Sequence, residues 1–599
     1  MLVVSLALLW KQELEVEILF TCHNFIDTRI RAEGRMFYAT FVYGEPDQTK
    51  RQEIWQKLMN QTQDRTDPWL LTGDFNEIIE STEKKGGLVR PESYFTNFRT
   101  FMSECDLYDL RYSGNFFSWR GARNDHLVRC RLDRSMSNSA WAEEYPSGRS
   151  EYLRFERLDH RPIITIFDTT KKKKRGLFRY DRRLKENEEV QKLILEAWNT
   201  DNTDTVEGKI NRCRREIIRW NKEKHLNSQE QIETYRQRLE EAMTDEQHNA
   251  KLIEELNENL KKAYTEEEAF WKQRSRQLWL VLGESNTNYF HAVTKGRKSI
   301  NKFSVIEDED NKAVYTESQI TKVITEYYQK LFTSEPGERE SVVTHALKPC
   351  VSNQMNEELI KIPSPEEIKQ ALFSIHPNKA PGPDGFSACF FQSNWETVRT
   401  KIISEIQLFF STGKLPKNIN ATHVRLIPKI SSPKKVSDYR PIALYNVYFK
   451  VISKILTLRL QPILHGMVSE NQSAFVPQRA ISDNVLITHE TLHYLKNSKA
   501  KKQVYMAVKS DMTKAYDRIE WEFVKLALQR LGFHTKWIQW IMECLTTVLY
   551  TYLINGSAQG LVKPTRGIRQ GDPLSPYIFI LCSEVLSGLC NRAQEEGKL

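Results

Sequence analysis

Lys509-Ser-Asp511-Met-Thr-Lys514-Ala-Tyr516-Asp517-Arg518 and, further along, Arg569-Gln570-Gly571-Asp572-Pro573-Leu574-Ser575-Pro576 decide how the rest of this chain is read. Val504-Tyr-Met-Ala-Val508 is apolar and reads as a strand, which sets the Asp511 carboxylate at its end and the Tyr516 ring a short way beyond. The second run reads as a Gly-Asp-Pro turn at the start of an apolar helix. A lone Asp after a strand is ordinarily a turn or helix cap. Two such runs in this order argue for a site.

Together the runs resemble the first palm motif and the following helix motif of reverse transcriptases, most closely those of non-LTR (LINE-type) retrotransposons. Nucleotidyl transfer uses two divalent ions about 3.5–4 Å apart, and magnesium takes oxygen ligands, so carboxylates must converge from separate strands. The resemblance makes Asp511 one metal ligand and Tyr516 the steric gate beside the sugar; Asp517 is not counted as a ligand. Gln570 and Gly571 become substrate-binding residues. Upstream, Lys379-Ala-Pro-Gly-Pro-Asp-Gly385-Phe386 is a turn-rich loop that resembles the family's opening to the fingers. Arg425-Leu-Ile-Pro-Lys429 and Asp438-Tyr-Arg440-Pro-Ile-Ala-Leu444 resemble the fingers strands, with Lys429 and Arg440 meeting the triphosphate. Ser469–Pro477 and Arg479 continue the series. The family's aromatic-Ala-Asp-Asp hairpin and thumb follow these motifs, and the sequence reaches Leu599 before them, so the resemblance leads us to expect an incomplete palm.

A second group of motifs lies near the start. Trp69-Leu-Leu-Thr-Gly-Asp74-Phe-Asn76 reads as an apolar strand ending in a polar loop. Arg131-Leu-Asp133-Arg134 and Leu158-Asp159-His160-Arg161-Pro-Ile163 follow, with Phe117-Ser-Trp-Arg120 between. An Asp-His pair near a proline is also a plain strand cap, but the ordered set resembles the apurinic-type endonuclease/exonuclease/phosphatase domain of the same retrotransposons. By that resemblance Asp74 positions or deprotonates the attacking water and Asn76 orients the phosphate. His160 contacts the phosphate and is aligned by Asp133, since a carboxylate raises imidazole basicity and fixes its tautomer. Asp159 is a metal or structural carboxylate, and Tyr43 faces the scissile phosphate. Leu158 stands where the family has serine. An Asn strand and a metal-binding Glu are expected before these motifs. Glu13-Leu-Glu-Val-Glu-Ile-Leu19 instead reads as an alternating strand with Glu13, Glu15 and Glu17 on its solvated side, so the domain reads as N-terminally incomplete.

The remaining composition agrees. A net charge of +9 fits nucleic-acid partners without requiring them. Nine scattered cysteines without a Cys-x-x-Cys pair give neither a zinc site nor a disulfide framework. No apolar run is long enough to span a membrane, and the opening apolar run lacks the flanks of a signal peptide. Nucleus or cytoplasm is therefore expected. Lys171–Arg175 reads as a linker, an import signal or a phosphate-binding segment. Lys209–Leu282 contains neither Gly nor Pro, and its apolar spacing around Ile232–Leu239 and Leu252–Leu256 predicts amphipathic helices, as in a long hairpin. Trp271, Lys272, Arg274, Arg276 and Trp279 could meet template RNA, although a helix packing its aromatics inward is the plainer reading. Gly283–His291 resembles the segment preceding the polymerase.

The expected architecture is a partial α/β sandwich endonuclease over 1–168, a helical connector over 169–300, and α+β fingers with a partial palm over 301–599. The resemblance implies RNA-directed DNA polymerase and DNA-nicking activity with Mg²⁺ or Mn²⁺, on element RNA, target DNA and deoxynucleoside triphosphates. The competing expectation is an inactive relic that binds nucleic acid without specificity.

Overall fold

In the computed structural model, residues 6–598 are described except 63–64, 89, 124–125, 146–147, 156–157, 169–176, 224–227, 245–249, 276–302, 304, 431–432 and 499–505. The segments at Lys171–Arg175 and Gly283–His291, together with Trp279 and Arg276, lie outside the described residues. Two units emerge. The first joins 1–175, 231–323 and 428–439; the second joins 176–230, 324–427 and 440–599. The stretch read as a connector is thus divided between them.

In the first unit, alternation of apolar residues drives a six-stranded mixed sheet. Its strands are β1 (Glu15–Thr21), β2 (Phe25–Ala32), β3 (Arg35–Tyr43), β4 (Trp69–Asp74), β5 (Tyr108–Asp109) and β6 (Asp133–Ser137), in the order β1-β2-β3-β4-β6-β5. β3 and β4 are parallel, and β6 runs antiparallel to β4. On one face α1 (Arg51–Thr62) and α2 (Thr96–Glu104) bring Trp55, Leu58, Phe98 and Phe101 onto Trp69, Leu71, Phe75 and Met136. Burying each such side chain contributes roughly 1.5–3 kcal/mol. On the other face the join is polar: the hydroxyl of Ser135 meets Thr72 at 2.8 Å and Thr165 at 2.7 Å. Thr165 belongs to the strand Ile163–Ile166, which pairs with Arg149–Tyr152 in a second, three-stranded sheet. This is the sandwich expected of an endonuclease/exonuclease/phosphatase-like fold. Glu15 and Glu17 lie exposed opposite Arg31 and Arg29, the solvated edge that the alternation predicted. The helices Ser228–Thr244 and Ala250–Ser275 realise the amphipathic pattern, and Arg236 Nε donates to the Tyr264 hydroxyl across them at 2.8 Å.

The second unit is mainly helical around a four-stranded sheet. Its strands β7 (Ala421–Pro428), β8 (Tyr439–Tyr445), β9 (Leu549–Ile554) and β10 (Ser557–Val562) lie in the order β8-β7-β9-β10. The core gathers α3 (Glu188–Asn199), α4 (Val206–Glu223), α5 (Trp395–Thr412), α6 (Val447–Leu460), α7 (Trp521–Leu531), α8 (Thr535–Thr546) and α9 (Ser575–Glu595). α3 and α4 belong to this core although they precede the polymerase-like motifs, because Val190, Ile194, Ile210 and Ile217 are apolar at helical spacing and fully buried. The Glu405 carboxylate of α5 also accepts from the Val206 amide at 2.8 Å, capping α4.

One expected element is absent. Among the described residues, 506–512 form no strand, and Met506 and Val508 are 82% and 76% exposed. An apolar strand needs a paired neighbour and a covering layer to hold its form, and no described strand pairs with it.

Candidate active sites

In the first unit, the register brings the site together. Antiparallel pairing sets Asp133, at the start of β6, opposite Asp74, at the end of β4; parallel pairing sets Tyr43, at the end of β3, opposite the same Asp74. The chain then turns at Asn76, whose φ of +50° is a left-handed conformation that Asn tolerates. The Asn76 amide donates to Asp74 Oδ1 at 2.8 Å, and its side-chain Nδ2 donates to the Gly44 carbonyl at 2.8 Å, so the ends of β3 and β4 are tied. Gly44 is required here: a Cβ would sit 2.1 Å from the Phe75 carbonyl oxygen.

His160 arrives from the segment just before the strand Ile163–Ile166, where it bridges Trp119. Its Nδ1 lies 2.9 Å from Asp133 Oδ2 and its Nε2 lies 3.9 Å from Asp74 Oδ2. One ligand atom from each of Asp74, Asp133 and His160 falls within 4.8 Å of the others. Burial first, then the charge of Asp133, pushes the Asp74 carboxyl up to about 6, against the Asn76 amide and the charges of His160 and Arg51. Burial pulls the His160 imidazole down, but the hydrogen bond and charge of Asp133, with the charges of Asp74 and Asp159, leave it raised overall. Burial and the Asp74 charge raise Tyr43. An imidazole between two carboxylates, one of them poised near neutrality, can hold or move a proton and bind a phosphate. Two carboxylates and an imidazole also suit a divalent cation of the magnesium–manganese type.

Of the residues named from sequence, Asp74, Asn76, Asp133, His160 and Tyr43 converge. Asp159 does not join them: it is exposed, and its carboxylate accepts from the Trp119 indole at 3.1 Å. Three supports escaped the sequence reading. Ser118 Oγ accepts from the amides of Leu132 and Asp133, each at 2.9 Å, and the Tyr152 hydroxyl donates to the Asp133 carbonyl at 2.7 Å. Arg51 donates to the Glu45 and Pro46 carbonyls and to Glu77, joining the loops beyond β3 and β4. Beneath the site, buried Arg131 and Arg134 share Glu83 and Asp109. Ser118 lay inside a quoted motif, whereas nothing local marks Arg51, whose carboxylate partner Glu77 is distant in sequence.

In the second unit, Tyr516 lies on a short helical turn, Ala515–Arg518, with its ring stacked on Phe579 at 5.2 Å. Gln570 Nε2 donates to buried Asp517 at 3.1 Å, so Asp517 is an anchor for the Gln-Gly-Asp-Pro turn. Gly571 takes a φ of +100°, and its carbonyl accepts from the Tyr445 hydroxyl at 3.2 Å. Asp572 is buried, accepts from the Ser453 hydroxyl and caps the turn before α9 through the Leu574 amide at 3.0 Å. The Lys379–Phe386 loop is held from below. Desolvation pushes the half-buried Asp384 carboxyl up to about 6, and burial pushes Lys450 down to about 8 as it donates to the Ala380 carbonyl at 2.9 Å. Arg440 is exposed on β8. Lys429, in the first unit, is exposed, and its Nζ donates to the Ser437 carbonyl at 2.9 Å. Asp511 is exposed, and among the described residues no carboxylate, histidine or cysteine cluster includes it.

Comparison with known proteins follows the same division. The profile of the Endonuclease/Exonuclease/phosphatase family matches residues 5–154, and that of Reverse transcriptase (RNA-dependent DNA polymerase) matches residues 428–596. The "Transposon TX1 uncharacterized 149 kDa protein" of Xenopus laevis is 23% identical over 584 residues, covering 94% of this chain and 44% of that one. A "Retrovirus-related Pol polyprotein from type-1 retrotransposable element R2" of Popillia japonica is 28% identical over 226 residues, 36% of this chain and 30% of that one. The "Endonuclease domain of TRAS1, a telomere-specific non-LTR retrotransposon" aligns at 16% identity and a TM-score of 0.23, covering 27% of this chain and 72% of the other. The chain spans less than half the length of these two polyprotein relatives. The chain is thus similar to non-LTR retrotransposon proteins, with a stretch matching the Endonuclease/Exonuclease/phosphatase family ahead of one matching the reverse transcriptases.

Proposed function

We propose that this chain serves a retrotransposon by nicking target DNA through its first unit and by RNA-directed DNA synthesis through its second. The observation that carries the first half is the convergence of Asp74, Asp133 and His160 at the ends of paired strands. In this reading Asp74 takes the proton of the attacking water and Asn76, fixed to Gly44, orients the phosphate. His160, held by Asp133, binds the phosphate with its proton retained. Both families are generally divalent-metal dependent. The Asp74 and Asp133 carboxylates would hold Mg²⁺ or Mn²⁺, leaving the His160 imidazole to the phosphate, and the ion when bound would stabilise charge on the phosphate oxygens.

For the second half, the Tyr516 ring packed on Phe579 and the anchored Gln570–Gly571 turn support the polymerase reading. Element RNA, target DNA and deoxynucleoside triphosphates would be the partners. Among the described residues no helix is long and apolar enough to cross a membrane, and a nuclear or cytoplasmic setting fits these substrates. Nicking of supercoiled plasmid with Mg²⁺, and RNA-templated primer extension, test the two halves separately. The expected results are nicking lost in His160→Ala and extension lost in Asp511→Ala. Wild-type protein inactive in both assays, yet folded and binding nucleic acid, would establish the inactive-relic alternative. Nicking that survives His160→Ala would remove this site from the reaction.

A further inference from the structure

Nearly every well-buried arginine of the first unit's sandwich is neutralised by a carboxylate: Arg51 by Glu77, Arg65 by Asp27, and Arg131 and Arg134 by Glu83 and Asp109. Arg120, which is exposed, and Arg161, which is half-buried, are different. Among the described residues neither has an acidic partner, yet both guanidinium groups rest on one ring, that of Phe155, at 4.7 and 3.9 Å from its centroid. A planar guanidinium gains from such a face but not enough to favour a second like charge beside it.

The pair is also built rather than incidental. Arg161 Nε and Nη1 donate to the carbonyls of Phe117 at 3.0 Å and Leu153 at 2.9 Å, which fixes the plane of the group, and among the described residues Nη2 has no acceptor. The backbone places both residues next to the nicking site. Trp119 bridges His160, the Arg161 amide donates to the Ser118 carbonyl at 2.8 Å, and the Arg120 amide donates to the Asp159 carbonyl at 3.0 Å. The two arginines therefore flank the Trp119–His160 pair within one short antiparallel crossing.

We propose that Arg120 and Arg161, held on Phe155, clamp the backbone of duplex DNA at a phosphate flanking the bond to be cut. The inference rests on the endonuclease reading, which supplies the reason for DNA to lie here. Bound phosphate would relieve the repulsion between the two cations, and one group already immobilised loses little entropy on binding. Contacts of this kind position the duplex and carry no base readout.

The test uses the full chain and a short blunt DNA duplex, with affinity measured across a series of KCl concentrations. Each neutralised phosphate contributes about 0.9 to the slope of log affinity against log salt. The R120Q/R161Q double variant, which loses the one clamped phosphate, should flatten the slope by about 0.9, and R120Q alone by a smaller amount. Because the exposed Arg120 side chain makes no hydrogen bond among the described residues, R120Q tests the clamp with little cost to the fold. R29Q/R31Q, at exposed arginines already paired with Glu17 and Glu15, should leave the slope unchanged. In plasmid nicking the double variant should raise KM and spare kcat. An unchanged slope in both clamp variants, with melting as in the wild type, overturns the proposal. A clamp-dependent slope in a chain that never nicks would sink the endonuclease reading and leave the clamp standing. Nicking with clamp-independent binding would remove the clamp alone.

Discussion

Replacing Asp74 by Asn should stabilise the first unit at neutral pH while abolishing nicking. Asp74 sits opposite Asp133 in the β4–β6 register, with its carboxyl raised to about 6 by burial and by that neighbouring charge. Because the folded-state value lies above the unfolded one, the unfolded chain releases this proton more readily, and ionisation favours unfolding. The penalty is nearly absent below about pH 4, grows as pH rises, and is fully present above about pH 6. It amounts to about 3 kcal/mol at pH 7 and about 0.5 kcal/mol at pH 4. The amide keeps the shape and never ionises, so Asp74→Asn should exceed the wild type by about 3 kcal/mol at pH 7 and nearly match it at pH 4. Hydrogen exchange at the β4 and β6 amides reads this unit apart from the rest of the chain. A variant no more stable than wild type at pH 7, or a gain identical at both pH values, would refute the assignment of a strained carboxylate. The same ionisation sets the nicking profile: activity should fall as pH drops through about 6, and a half-point near the ordinary carboxylate value of about 4 would contradict it.

Other substitutions probe the scaffold. Gly44→Ala places a Cβ against the Phe75 backbone, 2.1 Å from its carbonyl oxygen, and should destabilise the unit by about 2 kcal/mol or more; calorimetric melting indistinguishable from wild type would show that the two loops separate freely. Arg134→Met removes a fully buried cation from Glu83 and Asp109, and about 3 kcal/mol should be lost in urea unfolding, a loss that would vanish only if Arg131 alone suffices for both carboxylates. In the second unit, Gln570→Ala takes one donor from buried Asp517 and should lower stability by about 1–3 kcal/mol; exchange rates around Ile568 and Tyr516 that do not change would show the contact to be dispensable.

Much of this protein was legible in its sequence because the informative signals are local. Strand β4 follows from Trp69-Leu-Leu running into Gly73-Asp74, and the helix after Pro573 from its turn and apolar run. Asp74, Asn76, Asp133 and His160 were identifiable because each lies in a short motif whose order is itself improbable. Local sequence also misled. Val504–Val508 has the composition of a strand, but composition cannot supply a pairing partner, and its described part is exposed coil. Tertiary structure alone decided the remaining features. The left-handed turn at Asn76 depends on where Gly44 lies, and Ser118, Tyr152 and Arg51 act on backbone groups brought near by sheet register. Asp517 became a buried anchor through a residue far along the chain, Gln570. A residue's type fixes which bonds and charges it offers, whereas the partner that meets it, and hence its pKa and its role, depends on long-range packing that no local pattern encodes.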